Sequence, residues 1–417
     1  MHTRLPLHRF LNRKRLRYAW IAGGALWIAW AVSILLGPEN MDLAGHVIGT
    51  DYLQFYTAGY TLRLGKSSQL YDLVYQSQLQ QELIGPRLSS YHAFITPPFL
   101  AWLFVPFAKL PYLLSFAIWS LLGLLGLWMS LRLLGIKDPR WPFAWSLTWF
   151  PVFAAIGFGQ TSFLSLTLLS LTYWLWRKDR LWAAGLVSSL SMYKPQLAIG
   201  VGLLWLLEWR REMPALIGLV LGSSILACLS FWQLPAASWA YLDFARTTLP
   251  NLPAWFDFPL WHLHTVRGFW RLLLPQYPAW ADGLTLLVAT VGVLGFVLFW
   301  RRYRSQHALL FAGAICLTLW VTPHAMIYDW TLLLIPAVLL WRQAPHLREE
   351  WKTLFAWVWL VALVSGQLTY AQLKVLPFAV QISVPVLLLA IYLAYRGLLG
   401  HPATHRSPAT AGTARTK

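Results

Sequence analysis

Long apolar stretches recur along the whole chain, and they limit what it can fold into. A bilayer-spanning helix needs about 20 mostly apolar residues, and about twelve stretches approach that length. They are 18–36, 111–133, 141–157, 160–176, 181–194, 196–208, 213–233, 281–300, 307–321, 325–341, 353–370 and 377–395. No stretch shows the strict alternation of a membrane β-barrel strand. We therefore predict an all-α polytopic membrane protein.

The composition agrees with this fold class and excludes others. Charged residues make up 12% of the 417 residues, whereas soluble globular proteins have about 25%. The net charge of +18 would suggest nucleic acid in a soluble protein. Here the basic residues lie between apolar stretches, which favours an anionic bilayer surface as the partner. We expect no nucleic-acid partner.

The distribution of Lys and Arg predicts the orientation. If the first span starts in the cytoplasm and the spans alternate, 24 of the 33 basic residues fall on the cytoplasmic side, as the positive-inside rule requires. This assignment needs the proline-rich stretch 96–110 to be re-entrant. We expect both termini in the cytoplasm of a cell with a bacterial inner (plasma) membrane.

Three regions follow from this topology. Residues 1–17 form a basic cytoplasmic arm, residues 18–395 form a single transmembrane domain, and residues 396–417 form a disordered cytoplasmic tail. Two long outer loops are expected at 37–95 and 234–280. Helix-type spacing of apolar residues in the first loop predicts amphipathic helices that lie on the outer leaflet.

Four polar residues lie within or beside the apolar stretches, where such side chains are costly and indicate function. They are Asp51, Gln160, Lys194 and His324. Each alone has a simpler explanation, such as a helix cap for Asp51 or snorkelling for Lys194. All four fall on the outer side in the predicted topology, so we predict that they form one site.

The residue types in this set indicate a reaction class. A carboxylate with no second acid nearby suits a general base better than a metal site, and the sequence has no DxD or HExxH motif. Lysine and histidine at a membrane face suit a phosphate group. The set therefore favours transfer from a lipid-phosphate donor, with the lipid tail between helices. We predict no metal and no cofactor.

The order of several motifs resembles a known family. The blocks are Asp51 with Tyr56, Ala58, Gly65 and Tyr71-Asp72; Thr96-Pro97-Pro98-Phe99 with Pro106 and Leu110-Pro111; Gly159-Gln160 with Gly185 and Lys194-Pro195-Gln196; and Thr322-Pro323-His324 with Tyr328. Together they resemble the polyprenyl-phosphate-mannose-dependent α-mannosyltransferases, which are polytopic glycosyltransferases of the GT-C type. The resemblance covers residues 40–340.

The resemblance implies a GT-C-like catalytic domain at 18–395 with about twelve transmembrane helices. It implies transfer of a hexosyl residue, mannose in this family, from a polyprenyl-phosphate sugar to a lipid or glycan acceptor at the outer face, with inversion. Asp51 would be the general base, and Lys194 and His324 would bind the donor phosphate. The pocket would be lined by Gln160, Tyr56, Tyr328, Arg267 and His264. The segment 261–268 departs from the family pattern, which leaves the acceptor and the sugar open.

Two other functions stay open from the sequence. Many-span basic proteins are often transporters, so a transporter or flippase of lipid-linked sugars is one alternative. The other is an outer-face glycan ligase or polymerase, which would depend on the outer-loop arginines Arg246, Arg267 and Arg271.

Overall fold

The computed structural model describes residues 13–251 and 258–400, and this part of the chain is helical with no β-strand beyond two isolated bridges. Its α-helices are α1 (Arg13–Leu36), α2 (Thr50–Arg63), α3 (Leu73–Ile84), α4 (Pro98–Phe104), α5 (Tyr112–Leu133), α6 (Arg140–Leu147), α7 (Phe150–Gly157), α8 (Ser162–Arg177), α9 (Leu181–Ser189), α10 (Ile199–Leu207), α11 (Trp209–Gln233), α12 (Pro235–Asp243), α13 (Val266–Leu273), α14 (Pro278–Tyr303), α15 (His307–Val321), α16 (Leu334–Gln343), α17 (Arg348–Val375) and α18 (Ser383–Gly400). Most of the predicted arm 1–17, part of the loop 234–280 and most of the predicted tail 396–417 lie outside the described residues.

Five helices in the described part of the chain are long and apolar enough to cross a membrane. They are Arg17–Leu36, Tyr112–Leu133, Trp209–Gln233, Pro278–Tyr303 and Pro345–Val375. Further apolar helices are shorter. The described part of the chain is all-helical, and the protein is a polytopic membrane protein. The prediction of about twelve spans stays a prediction.

Two predicted spans contain breaks that their hydropathy does not reveal, and the stretch 96–110, predicted to be re-entrant, is also interrupted. The stretch 141–157 is divided into α6 and α7, and the stretch 325–341 begins with the 3₁₀ helix Ile327–Leu333 before α16. In the stretch 96–110, α4 has only 7 residues and is followed by the 3₁₀ helix Phe107–Lys109. Seven residues reach about 10 Å, far less than a bilayer core.

The described residues form two large apolar cores and a small third one around Leu347 and Trp351. One large core, named the outer-loop core after the outer loop predicted at 37–95, joins α2 and the segment around Phe94 to α4 and to the start of α5. The bundle core is larger and joins α7, α8 and α10 to α15 and to residues 327–339. The candidate site lies where these two cores meet, because its residues come from both.

Close helix packing in the bundle core depends on small residues. A Cβ atom on Gly200 would lie 2.0 Å from the carbonyl oxygen of Ala314, and the amide of Gly200 donates a 2.8 Å hydrogen bond to Thr318 Oγ1. The backbone of α10 therefore lies directly on α15. Gly202, two residues later on the same helix, has nothing within 4 Å of its Cβ position.

These two glycines give a matched test of the fold. We expect Gly200→Ala to lower the free energy of unfolding by about 1–3 kcal/mol, because the added methyl group forces α10 away from α15. Gly202→Ala should leave stability unchanged or slightly higher, since alanine favours a helix. The thermal midpoints of the two purified variants check this. Equal midpoints would contradict the close packing of the two helices.

Candidate active site

Asp51 is held in the first turn of α2 by a tight backbone contact. Gly49 precedes the helix with a φ of 69°, and a Cβ atom there would lie 2.6 Å from the ring of Phe116. The amide of Tyr52 donates a 2.9 Å hydrogen bond to the carbonyl of Phe158 at the end of α7. This bond brings the start of α2 against the loop that contains Gln160. An acidic residue in the first helical turn also interacts favourably with the helix dipole.

Gln160 follows a glycine-terminated helix. The amide of Gly159 donates to Ile156 and that of Gln160 donates to Ala155, and Gly159 has a φ of 67°. This pattern is a Schellman motif, which needs a residue in the left-handed region. A Cβ atom on Gly159 would lie 2.5 Å from Tyr52 Cβ. Glycine therefore both ends α7 and lets α2 approach Gln160.

The carboxamide of Gln160 joins the groups of the site. Its Nε2 donates to Asp51 Oδ2 at 2.8 Å and to the Tyr328 hydroxyl at 3.2 Å. Its Oε1 accepts from Lys194 Nζ at 3.2 Å and from the amide of Thr161 at 3.1 Å. The side chain is 5% exposed, and both of its ends are satisfied. The amide therefore links a carboxylate to an ammonium group.

Lys194 forms a buried ion pair with Asp329. The distance from Nζ to Asp329 Oδ1 is 3.1 Å, and the side chains are 12% and 2% exposed. Asp329 also accepts from the Ser162 hydroxyl at 3.1 Å and from the amide of Met326 at 3.2 Å. Lys194 lies between two 3₁₀ helices and before Pro195, where the backbone cannot continue a helix.

A residue that the sequence analysis did not identify, His92, approaches Asp51 from the other side. His92 Nδ1 lies 3.9 Å from Asp51 Oδ1, and Ser90 Oγ lies 3.0 Å from His92 Nε2. The backbone of His92 exchanges two hydrogen bonds with the buried carboxamide of Gln80, at 2.7 and 3.1 Å. This clamp fixes the histidine beside the carboxylate. Its short distance in sequence from the 96–99 block was the only available hint.

His324 and Arg267 lie on the Lys194 side of the site. The ring of His324 packs 5.6 Å from that of Phe258, centroid to centroid. Its imidazole is within electrostatic range of Asp329, Lys194 and Arg267. Arg267 is exposed in the first turn of α13. His324 therefore interacts with both members of the ion pair and with Arg267.

The structure does not bring all the predicted pocket residues together. Tyr328 contacts both Gln160 and Met326, with its hydroxyl 3.1 Å from Met326 Sδ. Tyr56, however, is buried in the outer-loop core and donates to the carbonyl of Leu110 at 2.8 Å. His264 is buried beside Trp330, and its Nδ1 lies 2.7 Å from Ser383 Oγ. Tyr56 and His264 therefore have separate hydrogen-bond partners.

Burial sets the protonation of the site. Removal from water raises the pKa of Asp51, and the charges of His92 and Lys194 and the hydrogen bond from Gln160 partly oppose this rise. Burial likewise lowers the pKa of His92, against the effect of Asp51. It lowers the pKa of His324 to about 4 and that of His264 to about 3. The imidazole of His324 is therefore neutral at pH 7.

Asp329 is a second carboxylate near Asp51, although the sequence analysis expected no second acid there. Asp329 contributes to the electrostatics of Asp51, but Lys194, Ser162 and the Met326 amide already occupy its oxygens. Within residues 13–251 and 258–400, no group of three or more His, Cys, Asp or Glu side chains is arranged to hold a metal ion. What the arrangement offers is one partly accessible carboxylate beside an ammonium group and a neutral imidazole.

Comparison with known proteins assigns the family. The model of glycosyltransferase family 87 matches residues 94–323, which is more than half of the 417 residues. The chain belongs to glycosyltransferase family 87. No curated protein and no solved structure matches it. Together with the apolar helices, this membership makes the protein a membrane glycosyltransferase. The matched range contains Gln160 and Lys194, whereas Asp51 and His92 precede it and His324 follows it.

The ion pair of this glycosyltransferase gives a prediction about stability. We expect Lys194→Met to lower the free energy of unfolding by about 3–5 kcal/mol, because it leaves the carboxylate of Asp329 buried without its cation. Adding Asp329→Asn should restore part of the loss, because the uncompensated charge is removed. Thermal midpoints of the single and double variants measure this.

An exposed ion pair serves as the control. Lys352 and Glu349 lie 2.6 Å apart with side chains that are 45% and 74% exposed. Lys352→Met should therefore cost at most about 1 kcal/mol. If Lys194→Met lowered the free energy of unfolding as little as Lys352→Met does, the buried pair would not stabilise the fold.

Proposed function

We propose that this glycosyltransferase moves a hexosyl residue, mannose, from a polyprenyl-phosphate sugar to an acceptor hydroxyl at the outer face of the membrane. Asp51 acts as the general base. The observation that carries the proposal is the Gln160 carboxamide, which donates to Asp51 at 2.8 Å and accepts from Lys194 at 3.2 Å. Asp51 and Lys194 thus lie close together, joined by one amide. A displacement at a sugar carbon needs such a pair, because a base must take a proton from the acceptor and a cation must stabilise the leaving phosphate.

The proposed step is a single displacement. Asp51 takes the proton of the acceptor hydroxyl while the acceptor oxygen forms a bond to the anomeric carbon. The bond from that carbon to the phosphate oxygen breaks, and the electron pair leaves with the polyprenyl phosphate. The nucleophile attacks the face opposite the leaving group, so the configuration inverts. The raised pKa of Asp51 makes it a stronger proton acceptor than an exposed carboxylate.

The phosphate is assigned to the Lys194 side of the site. Gln160 and Asp329 occupy two directions around the ammonium group, and an ammonium has three hydrogens to donate. The third is available for a phosphate oxygen. Because Asp329 neutralises Lys194, further stabilisation of the phosphate is assigned to His324, as a neutral donor, and to the exposed cation Arg267.

The other two functions receive less support. Membership of a glycosyltransferase family favours sugar transfer over a transporter or flippase. A ligase or polymerase that relies on outer-loop arginines would need them free. Arg271 instead contacts both carboxylate oxygens of Asp282, at 2.9 and 2.5 Å. This leaves Arg246 and Arg267 for such a role.

The direct test is sugar transfer by the purified protein. It is supplied with polyprenyl-phosphate mannose, glucose or arabinose and with candidate acceptor lipids or glycans, and the products are identified. We expect transfer from the mannose donor and release of polyprenyl phosphate. Transfer only from a nucleotide sugar would overturn the donor assignment.

Removing the base gives the sharpest prediction for the mechanism. Asp51→Asn should lower kcat by about 10²–10⁴-fold, the usual contribution of a general base, and should leave the thermal midpoint close to that of the wild type. Asp72→Asn is the matched control, because Asp72 is an exposed helix cap that accepts from the amides of Val74 and Tyr75. Asparagine caps helices equally well. Near-normal turnover by Asp51→Asn would remove the mechanism.

The pH profile tests whether His92 positions and tunes Asp51. The base must be ionised, so kcat/KM falls as the pH drops through the pKa of Asp51, which burial places above its usual value of 3.8. Protonated His92 lowers that pKa, so His92→Gln should shift this acidic limb to higher pH. His346→Gln, at an exposed histidine in the 3₁₀ helix Pro345–Leu347, should leave the limb in place. If the acidic limb of the kcat/KM profile did not move in His92→Gln, His92 would not influence the pKa of Asp51.

A further inference from the structure

A large apolar groove lies between α1, α5 and the helices α6 and α7. Its volume is about 740 Å³, and every residue that lines it is uncharged. Along α1 the lining extends from Trp20 to Ile34, which is roughly 20 Å at 1.5 Å per residue. This covers about two-thirds of the hydrocarbon core of a bilayer. The groove has the length and polarity of a site for an extended hydrocarbon chain.

Along one side of the groove, α1 is attached to α6 and α7. The indole nitrogen of Trp27 donates a 2.8 Å hydrogen bond to the carbonyl of Leu147, and the ring of Trp27 packs on Phe153. Gly23 is in contact with Thr148. These contacts join α1 to α6 and α7. Gly24, which lines the groove, has nothing within 4 Å of its Cβ position, so the space beside it is open.

The outer end of the groove reaches the candidate active site. Ile48 lines it and is followed by Gly49 and Thr50 before Asp51. Phe116 also lines it, and the same ring packs against the Cβ positions of Gly49 and Gly159. One aromatic side chain therefore forms a wall of the groove and supports the two loops that carry Asp51 and Gln160.

We propose that this groove binds the polyprenyl chain of the lipid-phosphate donor, in the isoprene units nearest the phosphate. The inference rests on the proposed function. The basic arm 1–12 does not fit as the occupant, because a charged segment would lose hydration in an uncharged groove. An isoprenoid chain carries no charge or hydrogen-bonding group, and its phosphate end would lie beside Gln160 and Lys194.

Gly24 offers a substitution that fills the groove without touching the site. Gly24→Leu places a side chain in open space and should raise the KM for a long-chain polyprenyl-phosphate sugar by about tenfold, or 1.4 kcal/mol. With a donor whose lipid is only two or three isoprene units long, the KM should change less than about twofold. The matched control is Gly295→Leu on α14, an exposed glycine with nothing within 4 Å and outside the groove. It should change neither KM.

Three kinetic results would overturn the assignment. They are an unchanged KM for the long-chain donor in Gly24→Leu, an equal loss with the long and short donors, and a rise in the KM of a lipid acceptor alone. The last result would mean that the groove holds the acceptor chain.

A binding measurement separates this inference from the proposed function. Long-chain polyprenyl phosphate alone should raise the thermal midpoint of the wild type and of Gly295→Leu. It should raise that of Gly24→Leu much less, while a short prenyl phosphate should have similar effects on all three. This chain-length dependence without sugar transfer would contradict the proposed function and support the groove. Equal shifts of Gly24→Leu and the wild type with the long lipid would reject the groove.

Discussion

The hydrogen bonds of the Gln160 carboxamide connect the two halves of the molecule. Asp51 is 109 residues away in sequence and lies on α2, which packs in the outer-loop core, whereas Lys194 precedes α10, which packs in the bundle core. A carboxylate only accepts and an ammonium group only donates, so the amide can satisfy both in one orientation only. Turning it over would place its oxygen against the carboxylate. This one side chain therefore links Asp51 to Lys194.

The backbone makes this bridge possible. A residue larger than glycine at position 49 would collide with Phe116, and one at position 159 would collide with Tyr52. Both glycines also have positive φ values, which other residues adopt at a cost. The hydrogen bond from the Tyr52 amide to Phe158 forms only at that short distance. Two turns, each closed by glycine, thus bring the start of α2 to the end of α7.

The free-energy cost of placing polar side chains beside apolar stretches explains which parts of the site were predictable from the sequence. Asp51, Gln160 and Lys194 are polar groups beside apolar stretches, and the structure brings them together as that cost suggested. His92 was missed because glutamine side chains on α3, rather than any periodic pattern, hold its irregular segment.

Tyr56 shows that a residue can match a family motif and still lie outside the site. Five residues along an α-helix rotate a side chain by about 140° relative to Asp51, and Tyr56 accordingly turns into the outer-loop core. Hydropathy averages also missed the break between α6 and α7, because they do not register backbone geometry.

The charge balance of the site explains why the lysine needs a buried acid. On the proposed reaction, the sugar phosphodiester leaves as a phosphate monoester, so negative charge develops on the phosphate oxygens as the bond breaks. Donors that are already oriented towards that charge stabilise the transition state most effectively, especially where water is excluded. A lone ammonium group at 12% exposure would be costly to bury, and Asp329 offsets that cost. The pair fixes the position of the Lys194 ammonium group, and on the proposed reaction its unused hydrogen responds to the charge that appears only during transfer.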